Sequence, residues 1–323
     1  MDDNVSVILP VQAHDIGMAQ PYARLAAETR SRRLWSGQSL GVETHAAFAA
    51  LSAQGLDLAY GSSVTLMPMW HPFTAALNAR SIAVLSGRTY IAGIGPGAKS
   101  LQRGLLGAAY DSPLAATEEY VRVMRSFLKD EVATSPGELW PVSGMALPVL
   151  DAPPVEIGLG VLRSGMARVA GQVADWAITW LTPVEYVEQD LLPTMTSSAR
   201  AAGREAPRVA SVLHCVLDQP GRDRIAVAQM SSERHLSAPH YLDMLERAGI
   251  TFGSTDLRER ASMMLDRGVI ATGTPFDIAD EIRRYHKSGV SEVVLNLGGV
   301  YLTEGPGAAA RDLALILDTY GDA

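Results

Sequence analysis

Few residues of this chain have the type and spacing that chemistry needs, and many of those are glycines. The run Gly158-Leu-Gly-Val-Leu-Arg163-Ser-Gly165 carries glycines from an apolar segment into the start of a helical pattern. Free backbone N–H groups and the dipole at such a helix start favour an anion, and Arg163 and Ser164 add a charge and a hydroxyl. A simple strand-to-helix turn satisfies the same spacing. Gly93, Gly95 and Gly97 resemble a dinucleotide fingerprint only weakly, because that fingerprint opens directly into a helix, with an acidic residue further on. Pro96 disturbs that geometry as well. Small residues also end the apolar run 58–65, at Gly61-Ser62-Ser63-Val64-Thr65, where the backbone can lie against a flat ligand. His14, His45, His71, His214, His235, His240 and His286 are scattered. None shows the paired spacing with a carboxylate that a zinc site uses, so no metal is expected. Cys215, the only cysteine, lies in an apolar run and reads as core. One cysteine excludes an internal disulfide and fits a reducing, cytoplasmic setting.

The elements that must hold these residues alternate along the chain. Runs with strand character fall at 5–10, 33–36, 58–65, 89–94, 155–159, 176–180, 208–217 and 292–296, separated by amphipathic helical stretches. Several helices announce their starts: Pro72 before a pattern closed by Gly87, Ser112-Pro113, a capping box at Thr182-Pro-Val-Glu185, and Thr274-Pro-Phe-Asp277. Alternation of this kind implies a parallel sheet, and eight units imply an α/β fold closed as a (β/α)8 TIM barrel, one domain over residues 1–323. Residues 129–154 are proline-rich and lack periodicity, which marks an insertion or lid. In such a barrel, function sits in the loops after the strands. That rule selects His14, Gln38, Ser39, Ser62 to Val64, Gly95 to Lys99, Gly158 to Gly165, Thr179, Thr182 and Asn296 to Tyr301.

Composition narrows the partners. The 323 residues are 47% hydrophobic with a formal net charge of −8, which argues against nucleic acid and anionic membranes. No apolar run is long enough to span a bilayer. Residues 1–10 have no cationic stretch before their apolar run, so no signal peptide is expected.

Taken in order, Ser62-Ser63-Val64-Thr65, His71-Pro72, Leu85-Ser86-Gly87-Arg88 and Gly93-Ile94-Gly95-Pro96-Gly97 resemble the luciferase-like monooxygenase superfamily. Its members are (β/α)8 barrels that bind FMN or the deazaflavin coenzyme F420. The run VEIGLGVLRSGMARVAGQVADWAIT is similar to the family segment that holds the cofactor's phosphate, with Asp175-Trp176 in place of Asp-Gly. SPLAATEEYVRVMRSFLKDEV resembles the F420 branch, with FMN the alternative. The resemblance implies cofactor contacts from Ser62, Ser63, Val64, Gly95, Gly97, Gly158, Gly160, Arg163, Ser164, Gly165 and Thr179. It also implies a non-prolyl cis peptide between Ser63 and Val64. Gln38, Lys99 and Tyr110 are the candidates for substrate contact, and a homodimer is expected.

Departures from the family pattern shape the expected chemistry. Where many relatives carry Glu-His or Asp-His after the second strand, this chain has Ser36-Gly37-Gln38-Ser39. Gly97-Ala98-Lys99 replaces a glutamate that sugar-phosphate dehydrogenases carry after the fourth strand. The expectation is hydride transfer from reduced F420 to an activated C=C or C=N bond of a small molecule or peptide, such as a dehydroamino acid in a modified peptide. An FMN-dependent monooxygenase and a non-catalytic flavin-binding protein are the alternatives. Reduction also needs a proton source within hydrogen-bond reach. His71, Tyr110, Lys99, Glu304 and water are the candidates; His71 is taken as catalytic, although its place at a helix start suits a structural role.

Overall fold

The computed structural model describes residues 4–29, 31, 33–129 and 131–321. Eight parallel strands form a closed ring: β1 (Asn4–Ile8), β2 (Arg33–Ser36), β3 (Ala59–Ser62), β4 (Tyr90–Gly95), β5 (Val155–Gly160), β6 (Trp176–Trp180), β7 (Arg208–Leu217) and β8 (Glu292–Asn296). Closure comes from β7, which sets Arg208 to Val212 against β6 and Ala210 to His214 against β8, while β8 pairs β1. The helical wall comprises α1 (Ile16–Glu28), α2 (Thr44–Ser52), α3 (Pro72–Ser86), α4 (Pro113–Leu128), α5 (Ser164–Val173), α6 (Leu192–Ala201), α7 (Pro275–Lys287) and α8 (Pro306–Gly321). The expected (β/α)8 TIM barrel is the fold.

The strands are apolar on both faces because each has two layers to satisfy. Alternation sends Ile8, Trp35, Ile91, Trp176, Ile178, Ala210, Val212 and Val294 into the barrel as one cluster. Their neighbours, such as Val7, Leu34, Ala177, Leu213 and Leu295, join the larger core beneath the helices. The Trp35 ring occupies the place of a side chain on β3: a Cβ on Gly61 would lie 2.6 Å from it. At the N-terminal end of the barrel, Trp35 Nε1 donates to Ser6 Oγ at 2.9 Å and to Glu292 Oε1 at 2.7 Å, and Arg33 Nε lies 3.2 Å from the same carboxylate. A second polar knot holds the wall to the sheet. Asp175 accepts from the Ile157 N–H and from Arg125 and Arg204, which ties α4, β5, β6 and the segment after α6.

Several local expectations change. Residues 129–154 contain an antiparallel hairpin, Ala133–Ser135 with Val142–Met145. Glu119 on α4 accepts from the Leu139 and Trp140 N–H groups, Trp140 packs edge-on to Tyr120, and Arg80 on α3 donates to the Pro148 carbonyl. The segment is thus fastened along the α3–α4 wall. A short strand absent from the sequence reading, Ile270–Gly273, pairs with the C-terminal half of β7. The capping box at Thr182 does not form: Leu181 has a positive φ of 49°, and the Thr182 hydroxyl donates back to the Trp180 carbonyl. The helix that follows contains a π turn, Val187–Leu191. The capping box at Thr274 and Asp277 does form.

Candidate active site

The C-terminal end of the barrel is shaped by how β3 ends. Ser62 is buried, and its Oγ accepts from the Gly93 N–H at 2.8 Å and donates to the Gly93 carbonyl at 3.1 Å. Thr65 donates to the same carbonyl at 3.0 Å. Between these anchors the Ser63–Val64 peptide is cis, the bond that the family resemblance singled out. The loop after β2 grips it from the other side. The Ser63 N–H donates to the Ser36 carbonyl at 2.9 Å, and the Gln38 N–H donates to the Val64 carbonyl at 3.1 Å. The side chain of Gln38 is buried and donates to the Ser39 carbonyl. Its Oε1 accepts from the Leu66 N–H at 3.4 Å, so the side chain of Gln38, expected to touch substrate, is engaged by the backbone of its own loop and of the segment after Val64.

Val64 projects between two glycines. A Cβ on Gly95 would lie 2.7 Å from Val64 Cγ2, and one on Gly160 would lie 3.4 Å from Val64 Cγ1. Gly93 and Gly158 make room for the Ser62 carbonyl and for Ile178 in the same way. Gly97 has a φ of +71°, in the region that favours glycine. Buried Gln102 fixes that turn by donating to the Pro96 and Gly97 carbonyls, while its Oε1 accepts from the Tyr110 N–H. Ser62, Ser63, Val64, Gly95 and Gly160 are thereby brought together as one ridge. Lys99, on the helix Lys99–Leu106, is exposed, and Tyr110 is buried against Trp140.

Four residues past Gly160, α5 begins at Ser164 without any side chain capping its N-terminus. Its first N–H groups, with Ser164 and Gly165 at the helix start and Gly160 at the strand end before it, are suited to phosphate oxygens, whereas Gly158 faces Ile178 and Gly93 within the sheet. Arg163 stands at the N-cap, half-exposed, and its Nη1 lies 2.8 Å from Asp243 of the helix Pro239–Arg247. Thr179 is different. It occupies the outward side of β6, fully buried, and donates to Ser211 Oγ at 2.8 Å. Strand alternation makes Trp180 the residue of β6 that faces the barrel mouth.

His71 caps α3: its Nδ1 accepts from the Phe73 N–H at 3.2 Å, and partial burial lowers its pKa. The neutral ring then carries its proton on Nε2. Glu304 is removed as a proton source, because Arg222 binds both its oxygens at 2.6 and 2.7 Å and the hydrogen bond holds its pKa below the usual value.

Three residues at the mouth escaped the sequence reading: Trp180, His214 and the ring that covers them, His235. His214 lies on the inward side of β7 beside Asn296 of β8, and its ring meets Trp180 edge-on at 5.1 Å. Burial pushes His214 down to about 3 and His235 down to about 4, each with a further contribution from neighbouring cationic or imidazole groups. Alternation from Ala210 and Val212 was the signal that places His214 inside. These shifts make a prediction. Unfolding returns both rings to about 6.5, so between pH 6.5 and about 4 the unfolded chain binds more protons than the folded one. Stability is therefore expected to be lost as the pH drops through that window, by up to about 1.4 kcal/mol per pH unit for each ring. Urea unfolding at pH 7 and pH 5 measures it, and His214→Gln should remove about one ring's share of the slope.

Fold and site together describe a barrel built around a mouth with a helix N-terminus at its rim, and the comparisons identify the family that this barrel belongs to. The sequence model of the luciferase-like monooxygenase family matches residues 7–292, and the chain belongs to that family. A 5,10-methylenetetrahydromethanopterin reductase from Methanolobus tindarius is 24% identical over 295 residues, covering 84% of this chain and 88% of the relative. Among solved structures, an F420-dependent secondary alcohol dehydrogenase in complex with an F420-acetone adduct aligns with a TM-score of 0.76 at 14% identity, over 98% of this chain and 99% of that one. The oxygenating constituent of 3,6-diketocamphane monooxygenase from Pseudomonas putida, in complex with FMN, aligns with a TM-score of 0.72 at 16% identity, over 99% and 98%. Among the described residues no helix is long and apolar enough to cross a membrane, and no group of His, Cys, Asp and Glu gathers as a metal site.

Proposed function

We propose that this chain is an oxidoreductase that binds reduced coenzyme F420 in the barrel mouth and reduces an activated C=C or C=N bond of a small molecule or peptide. The observation that carries the reading is the placing of the Val64 ridge between Gly95 and Gly160, with the uncapped start of α5 immediately beyond. A tricyclic ring needs a flat apolar support, and its phosphate-bearing tail needs N–H donors at the rim. When bound, the deazaflavin supplies a hydride. Val64 supports the ring, the N-terminus of α5 with Ser164 and Gly165 receives the phosphate, and Arg163 adds a charge. The run Ser36-Gly37-Gln38-Ser39 that ends β2 holds no carboxylate or histidine, and the next such groups, Glu43 and His45, are paired with each other at 3.0 Å, which suits an acceptor that needs no base to remove its proton. His71, with its proton on Nε2, is the side chain we assign as proton source. The F420-dependent alcohol dehydrogenase among the aligned structures supports this cofactor. FMN-dependent oxygenation is the second reading, since the same helix N-terminus suits its phosphate and one aligned structure holds FMN.

The test is selective stabilisation on heating. A ligand that binds only the folded state adds about 2.7 kcal/mol at a hundredfold excess over its Kd. F420 is expected to raise the Tm, with FMN having a much smaller effect; the reverse order would establish the second reading. Arg163→Ala is expected to weaken F420 binding about tenfold, the scale of one charge-assisted hydrogen bond, with an unchanged far-UV spectrum. An unchanged dissociation constant would remove Arg163 from the phosphate site.

A further inference from the structure

Two N–H groups inside the barrel mouth have no acceptor. Asn296 Oδ1 accepts a 2.7 Å hydrogen bond from the Gly298 N–H, which turns its Nδ2 toward His214 Nε2 at 3.1 Å. A ring nitrogen facing an amide donor must accept, so the neutral His214 ring carries its proton on Nδ1. That Nδ1 is buried with no partner. Trp180 Nε1, which can only donate, is buried without a partner as well. The two rings meet at 85°, on adjacent strands whose register sets Trp180 opposite Val212, two residues before His214. His235 lies over Trp180 at 5.5 Å and is backed by Tyr241 at 4.7 Å. Among the other buried groups without a partner, the Tyr60 and Tyr90 hydroxyls belong to the core beneath the helices, while His235 Nδ1 lies in the ring that covers Trp180. Native proteins leave few buried donors unpaired, and a pair of them at one strand end calls for an acceptor.

We propose that Trp180 Nε1–H and His214 Nδ1–H together receive a neutral carbonyl oxygen of the substrate, and so select substrates whose double bond is activated by a carbonyl. The choice of a carbonyl rests on the reduction proposed above; the donor pair itself does not. Burial keeps His214 uncharged down to about pH 3, so the pair offers two dipoles and no charge. A neutral oxygen matches that, whereas a carboxylate there would be buried without a counter-charge. Asn296 sets the tautomer and acts as a positioning residue. Both nitrogens are closed off in this structure, so Trp180 or His235 must turn aside as the oxygen enters.

The experiment is long-range proton–nitrogen NMR of the full-length protein with labelled histidine, titrated with cyclohexanone, a ketone with no double bond to reduce. His214, assigned by its loss in His214→Phe, should show the Nδ1–H tautomer, and that resonance should move on ketone binding. Cyclohexanecarboxylate should leave it in place. Ketone affinity should fall about tenfold in His214→Phe and in Trp180→Phe. An Nε2–H tautomer, a resonance unmoved by ketone up to its solubility, or unchanged affinity in both variants overturns the proposal. Turnover of cyclohex-2-enone with reduced F420 is followed in parallel. A shifting Nδ1–H without turnover supports the donor pair and refutes the reductase reading. Turnover with an unmoved resonance does the opposite.

Discussion

Replacing Glu292 by alanine is expected to destabilise the barrel by about 3 kcal/mol, the lower end of the range for breaking a buried ion pair. Glu292 is 2% exposed and accepts from Trp35 Nε1 at 2.7 Å beside Arg33. Removing the carboxylate leaves Trp35, fully buried, with only the Ser6 hydroxyl as acceptor. It also takes from the Arg33 guanidinium its carboxylate partner and leaves it the Tyr60 carbonyl at 3.5 Å. The side chain of Arg33 is 19% exposed and reaches some water, which is why the lower end applies. Glu292→Gln keeps an acceptor for Trp35 and loses only the charge, so its cost should be smaller. Urea denaturation of the two variants measures both. A loss under about 1 kcal/mol for Glu292→Ala, the scale of an exposed pair, would show that the N-terminal end of the barrel is wetter than the structure implies.

Gly93→Ala is expected to cost about 3 kcal/mol and to weaken cofactor binding about a hundredfold, a combination of overpacking and lost hydrogen bonds. A Cβ at Gly93 would lie 1.9 Å from the Ser62 carbonyl oxygen and 2.6 Å from Ile178 Cδ1. The methyl therefore drives the end of β3 away from β4. Doing so breaks the two bonds between Ser62 and Gly93 and the one from Thr65, and the Val64 ridge moves with them. Gly104→Ala is the control. Nothing lies within 4 Å of its Cβ position, and its helical setting favours alanine by about 0.5–1 kcal/mol. Calorimetry with F420 and urea unfolding read the two effects separately. Normal F420 affinity in a folded Gly93→Ala protein would take the ridge out of the cofactor site.

The eight strands and most helix starts were legible in the sequence because they rest on local physics. A strand buried on both faces is mostly apolar, Ser112 and Thr274 mark helix starts by accepting from backbone donors three residues on, and Pro72 marks one by its fixed φ at the first helical position. The glycines of β4 and β5 were visible as well, but not what fills the space they leave. Val64, Ile178 and the Ser62 carbonyl come from other strands, and only closure of the barrel brings them there. Thr179 and Trp180 show the limit most clearly. They are neighbours in sequence, and which of the two faces the mouth depends on strand alternation counted from the barrel's interior. Thr179 was read as the ligand contact, yet its hydroxyl serves Ser211 beneath the helices, and Trp180 takes the inward place. His214 is invisible as a site in one dimension because its partners, Asn296 and Trp180, lie on other strands. The sequence by itself determined a closed parallel barrel and the segments at its mouth, since period and punctuation are local. Only the tertiary structure decided which side chains point into that mouth and which of their hydrogen-bonding atoms are spent, because both depend on register between strands far apart in the chain.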